Sequence, residues 1–334
     1  MVEIANLPFN GKKIYIQSML NIPSEDIENN VKQAIELEKA GCEILRVAIP
    51  DKSALALIPA IKSAISIPLV ADIHYDYKLA LGAVEMGIDK IRINPGNIGD
   101  KDRVKAVAQS CNQKNIPIRI GVNKGSANKG LVESAAEHIK LLEENDFHNI
   151  VVSIKSSTVT ETIKANREFR ERCNYPLHIG ITEAGTERMG IIKSAVGIGS
   201  LLVDGIGETI RVSLTGNPVK EIQAAKDILK AIGKYNGVQI ISCPTCGRTK
   251  IDVETIANEL EKAIEGKNLP PIKLAVMGCA VNGIGESKDA DLGIAGGNKE
   301  AVIFRKGELL RKIPENRIIE EFLTEIDNFV AEMA

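Results

Sequence analysis

Lys90-Ile91-Arg92-Ile93-Asn94 alternates strictly: Arg92 and Asn94 share one parity, Ile91 and Ile93 the other. Successive side chains of a β-strand point to opposite faces, so this run is a strand with one polar and one apolar face. The pattern recurs along the chain. Asp72 shares parity with His74, Arg119 with Gly121 and Asn123, Ser153 with Lys155, His178 with Gly180 and Thr182, and Arg211 with Ser213 and Thr215, while the off-parity positions are almost all Ile, Val or Leu. Eight such runs are expected as strands, at 14–19, 43–49, 68–73, 90–94, 117–123, 150–156, 176–184 and 209–215. Segments of helical apolar spacing lie between them, the first from Ser24, a fitting N-cap, to Gly41, a fitting C-cap. Strands joined through helices must run parallel, and eight such units predict a closed (β/α)8 TIM barrel. An open doubly wound sheet would carry a G-x-G-x-x-G turn after an early strand, and none follows the first.

A barrel lumen is normally filled by branched apolar side chains, so polar residues aimed inward near strand ends mark a site. Arg92, Arg119, Lys155 and Arg211 converge from four strands, with Arg46 on the second strand a candidate to join them. Charges in a barrel mouth cannot stay unpaired. Asp72 and Glu183 are expected to neutralise some of them, and the remainder call for a strongly anionic ligand. Guanidinium forks fit phosphate oxygens, so a diphosphate matches better than a single carboxylate. The competing reading is a structural ring of ion pairs across the barrel. The polar, glycine-containing loop 123–130 suits either a phosphate nest or a lid. His138 and His148, Lys12-Lys13 and the Glu/Lys runs after Pro218 are expected to be solvated.

Gly233–Gly237 is a linker pattern, which sets a barrel domain at 1–232 and a small α/β domain at 238–334. In the second domain, Cys243-Pro244-Thr245-Cys246 follows one expected strand (238–242), and Met277-Gly278-Cys279 ends another (272–277). A helix over about 253–265, strands at 291–295 and 301–305 and a final helix from about Pro314 complete it. Thiolates are the soft ligands chosen by zinc and by iron-sulfur clusters. All four histidines lie upstream, so zinc would need a carboxylate or a further cysteine. Three thiolates plus the weaker oxygen ligand Glu286 would suit an iron-sulfur cluster with one exchangeable iron. A zinc knuckle is the alternative. Cys42, Cys111 and Cys173 are packing residues in or beside helices.

Composition excludes other classes. The chain has 334 residues, 42 Lys and Arg against 44 Asp and Glu, 3% aromatics and no Trp. Neither a basic footprint nor stacking platforms for nucleic acid are present. No apolar run approaches the ~20 residues of a membrane span and no signal peptide opens the chain, so a cytoplasmic protein is expected.

Taken together, several motifs resemble the 4-hydroxy-3-methylbut-2-enyl diphosphate synthase family over essentially the whole chain. They are Gln17-Ser18-Met19, Val70-Ala71-Asp72-Ile73-His74, Arg92-Ile93-Asn94-Pro95-Gly96-Asn97, Arg119-Ile120-Gly121-Val122-Asn123, Thr182-Glu183-Ala184-Gly185, Arg211-Val212-Ser213-Leu214-Thr215, Cys243-Pro244-Thr245-Cys246-Gly247-Arg248 and Asn282-Gly283-Ile284-Gly285-Glu286. The resemblance implies a 4Fe-4S cluster on Cys243, Cys246, Cys279 and Glu286. It implies a diphosphate held by Arg46, Arg92, Arg119, Lys155, Arg211 and Ser213, with Glu183 near the reacting carbons; strand parity adds Asp72, His74, Asn94 and Asn123 as substrate-binding candidates in the same mouth. The implied reaction reduces 2-C-methyl-D-erythritol 2,4-cyclodiphosphate with electrons from reduced flavodoxin or ferredoxin. A head-to-tail homodimer is also implied. It agrees with the expectation that helix eight and a short linker would carry the second domain to the face opposite the arginines. Two departures stand out: Ile284 replaces the family's usual Pro, and Met19-Leu20-Asn21-Ile22 replaces Met-Thr-Asn-Thr. The competing function is a redox-silent phosphate-binding barrel, of aldolase or pteroate-synthase type, with a structural zinc domain and Lys155 as a Schiff-base lysine.

Overall fold

The structure is a computed structural model, and it describes residues 2–98, 101–123, 130–235, 237–267 and 269–333. The chain divides into two compact units, Met1–Lys234 and Tyr235–Ala334. The first holds eight parallel strands: β1 (Tyr15–Met19), β2 (Ile44–Ala48), β3 (Leu69–Asp72), β4 (Lys90–Ile93), β5 (Ile118–Asn123), β6 (Ile150–Lys155), β7 (His178–Ile179) and β8 (Thr209–Ile210). Their order in the sheet is β6-β5-β4-β3-β2-β1-β8-β7. A bridge between Val152 and Leu177, with Val152 N donating to Pro176 O at 2.8 Å, brings the two outer edges together as a barrel.

Helices α1 (Ile27–Lys39), α2 (Leu57–Lys62), α3 (Tyr77–Glu85), α4 (Lys101–Gln113), α5 (Leu131–Glu143), α6 (Val159–Arg172), α7 (Glu187–Val203) and α8 (Val219–Ala231) pack outside it. Asp26 and Asp76 cap α1 and α3 by accepting from Asn29 N and Lys78 N, which satisfies backbone donors the first turn leaves free. The off-parity Ile and Val residues of the strands are buried against these helices.

The structure differs from expectation in places. β7 and β8 are two residues each rather than the seven to nine of their apolar runs. Gly180 approaches so closely that a Cβ there would stand 2.4 Å from Arg211 O, so backbone contact replaces an extended ladder. A short hairpin, Glu3–Ile4 with Leu7–Pro8, was not anticipated. Its Ile4, with Val2 and Phe9, packs on Tyr15, Ile44, Val70 and Val151, the inward residues at the strand starts, and so seals the barrel floor. His138 is half-buried rather than solvated, and burial pushes its pKa down. The loop at 124–129 lies outside the described residues.

The second unit has a five-stranded sheet, β9 (Gln239–Ser242), β10 (Lys273–Met277), β11 (Leu292–Gly296), β12 (Glu300–Arg305) and β13 (Glu308–Pro314), in that order. The first three are parallel and the rest antiparallel. Strand β13 was missed because its residues are mostly exposed and lack a clear alternation. Helices α9 (Val253–Ile264) and α11 (Ile318–Met333) cover the sheet, with Leu260, Phe322, Ile326 and Phe329 in its core. Burying each such side chain contributes roughly 1.5–3 kcal/mol. Glu286 ends a short helix, α10 (Ala280–Glu286), where a turn was expected. Among the described residues no helix is long and apolar enough to cross a membrane.

Candidate functional site

The inward parity of β1–β8 gathers charge in the lumen. Asp72, 3% exposed, accepts from Arg46 Nη2 at 2.5 Å and from Arg92 Nη1 at 3.1 Å, and His74 Nε2 lies 3.3 Å from its Oδ2. Burial alone would raise its pKa, but the charges of Arg46 and Arg92 and the His74 contact hold the carboxyl well below the usual range. Arg119, on β5, is 1% exposed and donates from Nη1 to Gln17 Oε1 on β1 at 3.1 Å. Lys155 Nζ lies 3.3 Å from His178 Nε2, whose Nδ1 is 2.8 Å from Thr209 Oγ1. Burial first, then the surrounding cations, pushes Lys155, His178 and Arg119 well below their ordinary pKa values. Two glycines open the space: a Cβ at Gly121 would stand 2.5 Å from Arg92 Nε, and one at Gly180 would stand 2.8 Å from Lys155 Nζ.

Arg211 has a carboxylate partner that the sequence reading placed among solvated residues. Glu221, in the first turn of α8, is 3% exposed, and it accepts from Arg211 Nε at 3.3 Å, Arg211 Nη2 at 3.3 Å, Ser18 Oγ at 3.1 Å and Leu214 N at 3.0 Å. A signal existed: Glu221, Ala225 and Ile228 share the buried face of α8 at helical spacing. Glu183 does not take the neutralising role expected of it. It is exposed, and among the described residues it forms no ion pair. Its φ of 52° is in the left-handed region, uncommon for a residue with a Cβ and typical of functional loops. Asn94 is buried at the end of β4, Ser213 is half-buried after β8, and Asn123 is exposed at the end of β5.

In the second unit, parallel β9 and β10 end at one edge of the sheet, which sets Cys243 beside Gly278-Cys279. Gly278 N donates to Cys243 Sγ at 3.1 Å, and Lys250 N donates to Gly278 O at 2.8 Å. Cys246 is exposed, and the Arg248 N–H beside it draws its thiol below the ordinary range. None of the six cysteines forms a disulfide, and Cys42 and Cys111 are buried with thiols pushed up to about 12. These donors suit a soft metal centre in kind. They are not gathered into a ready site, since among the described residues no three His, Cys, Asp or Glu side chains stand close enough to hold a metal ion. Glu286 is exposed at the end of α10.

A family model described as the GcpE TIM-barrel domain matches residues 1–226, and one described as the GcpE protein C-terminal domain matches residues 239–328. The chain belongs to the GcpE family. The relative in Clostridium perfringens (strain 13 / Type A), named 4-hydroxy-3-methylbut-2-en-1-yl diphosphate synthase (flavodoxin), is 53% identical and the match covers 98% of this chain and 97% of that one. The protein of the same name in Lysinibacillus sphaericus (strain C3-41) is 51% identical, covering 99% and 93%. The GcpE member described here is thus an enzyme, an oxidoreductase of isoprenoid biosynthesis. Among solved structures, dihydropteroate synthase from Stenotrophomonas maltophilia has a TM-score of 0.53 at 13% identity, covering 68% of this chain and 95% of its own. The Yersinia pestis enzyme gives 0.53 at 14%, covering 69% and 97%. That likeness is of the barrel fold alone.

Proposed function

We propose that this chain reductively opens 2-C-methyl-D-erythritol 2,4-cyclodiphosphate and removes its C3 hydroxyl as water, with two electrons, to give 4-hydroxy-3-methylbut-2-enyl diphosphate. The observation that carries the reading is the excess of cations in the lumen. Asp72 and Glu221 pair with Arg46, Arg92 and Arg211, while Arg119 and Lys155 have no carboxylate partner among the described residues. A dianionic ligand with many oxygens would satisfy them.

In this reading residues 1–232 bind the diphosphate through Arg46, Arg92, Arg119, Lys155, Arg211 and Ser213. Asp72 orients two of the arginines and Glu221 a third. His74, Asn94 and Asn123 line the mouth, and Glu183 stands near the reacting carbons to hold or move a proton. Residues 238–334 hold a 4Fe-4S cluster through Cys243, Cys246, Cys279 and Glu286. Bound there, the cluster supplies electrons one at a time and an iron with an exchangeable ligand. The names of the relatives support flavodoxin as the donor, and ferredoxin is the other carrier of that class. Reduced thiols throughout fit a cytoplasmic setting.

A homodimer in which each cluster unit serves its partner's barrel completes the proposal. Mixing Cys279→Ser chains with Arg119→Ala chains should then restore one intact site per heterodimer. No recovered activity in demonstrably mixed dimers would overturn that arrangement. For the reaction itself, anaerobically reconstituted protein should show iron-sulfur absorption and an EPR signal that the cyclodiphosphate perturbs. Colourless, zinc-loaded protein that is active without an electron donor would overturn the reading.

A further inference from the structure

Lys90 takes no part in the chemistry above, yet among the described residues no cation of the barrel is more fully buried. It lies on β4 two residues before Arg92, with the same inward parity, and is 0% exposed. Among the described residues its Nζ has no hydrogen-bond partner, and it lies over the face of the Phe9 ring, 5.1 Å from the centroid. Three further buried donors also lack acceptors among the described residues: Gln17 Nε2, Arg119 Nε and Arg46 Nε. These groups belong together. Arg119 is tied to Gln17 through its Nη1, and burial first, then the charges of Arg119 and Arg46, pushes the Lys90 pKa well below its ordinary value. Below them the floor is apolar and sealed by Phe9, Tyr15, Val70 and Val151.

Buried donors are almost always satisfied, and each one left without an acceptor costs about 1–3 kcal/mol. Water would supply an acceptor but would not relieve the repulsion among Lys90, Arg119 and Arg46. An anion does both. Asp72 is already paired with Arg46 and Arg92, and Glu221 with Arg211, and among the described residues neither pairs with Lys90 or Arg119. A monatomic anion suits best, because it accepts from several donors at once without directional demands. We propose that Lys90, Gln17 and Arg119 form a second anion site on the barrel floor, beneath the mouth, that takes a halide such as chloride.

The test needs no turnover. Crystals of the full-length protein grown in bromide should give an anomalous peak within hydrogen-bond reach of Lys90 Nζ and Gln17 Nε2. The peak should persist when inorganic pyrophosphate fills the mouth and vanish in Lys90→Met. In solution, replacing gluconate by chloride at constant ionic strength should raise the unfolding temperature of the wild type. Lys90→Met should lose more than half of that rise, as binding to the folded state alone requires. Gln17→Leu serves as the second variant if Lys90→Met does not fold. Absence of a floor peak in the wild type, or a peak and a chloride response that survive both substitutions, would overturn the proposal.

Discussion

Glu221→Ala is the most direct probe of how the cationic chamber is held. The substitution removes the acceptor for Arg211 Nε and Nη2, Ser18 Oγ and Leu214 N, at 3.0–3.3 Å. The side chains of Glu221 and Arg211 are only 4% and 17% exposed, so water cannot readily replace what is lost. Removing one partner of a buried ion pair costs about 3–5 kcal/mol, because the remaining charge is left uncompensated. Here Arg211 would also face its neighbour Arg46, whose charge already opposes its own. Glu221→Gln keeps the shape and one accepting oxygen, so it should lose only ~1.5–3 kcal/mol, the scale of a hydrogen bond to a charged group. Urea unfolding followed by circular dichroism would measure both. Equal stability of wild type and Glu221→Ala, to within about 1 kcal/mol, would mean that Glu221 is the solvated residue its charged neighbours suggested. The account of Arg211 would then fail.

The other expectations concern ligand, acid and metal. Arg92→Ala, Arg119→Ala and Arg211→Ala should each weaken inorganic pyrophosphate binding by about 1.5–3 kcal/mol in calorimetry while leaving cluster absorption unchanged; normal binding by all three would place the anion pocket elsewhere. The folded-state pKa of Asp72 is depressed, so its contribution to stability is present above the unfolded carboxylate value of ~3.9 and is lost as pH falls toward the folded value. Asp72→Asn should therefore be destabilised at neutral pH and converge on the wild type in acid, and a constant gap in pH-dependent unfolding would contradict this. Cys279→Ser should lose most bound iron in a colorimetric assay, whereas Glu286→Gln should retain iron and lose most turnover; full activity of Cys279→Ser would remove that residue from the ligand set.

The barrel was legible because alternation is a short-range property. Lys90 through Asn94 shows it within five residues, and the lumen residues of β3, β5 and β6 follow the same parity. What failed to show is long-range. The partner of Arg211 sits on the following helix, where Glu221 is indistinguishable in composition from the exposed Lys220 and Gln223 and differs only in the face it occupies. Strands β7 and β8 carry a strand-like run of Ile, Leu and Val, but the close approach of Gly180 to Arg211 O is a three-dimensional fact that no local pattern encodes. The cysteine turns were visible from their residue types. Their adjacency depends on the parallel pairing of β9 with β10, which joins Gly278 N to Cys243 Sγ across 35 residues.

The balance of charge in the lumen bears on the proposed chemistry as well as on binding. Among the described residues six inward basic side chains, Arg46, Lys90, Arg92, Arg119, Lys155 and Arg211, face two carboxylates, Asp72 and Glu221. Opening a cyclic diphosphate frees a phosphate oxygen, so the ligand becomes more anionic as the reaction proceeds. A chamber with surplus cations therefore binds the opened form more strongly than the closed one, and binding that grows along the reaction path lowers the barrier. The carboxylates set the size of that surplus. With neither, the empty barrel would carry uncompensated buried charge and fold poorly. With a third, it would be more stable when empty, and the preference for the opened diphosphate would shrink. Asp72 shared between Arg46 and Arg92, and Glu221 held to Arg211, fix those arginines in place while leaving Arg119 and Lys155 for the ligand.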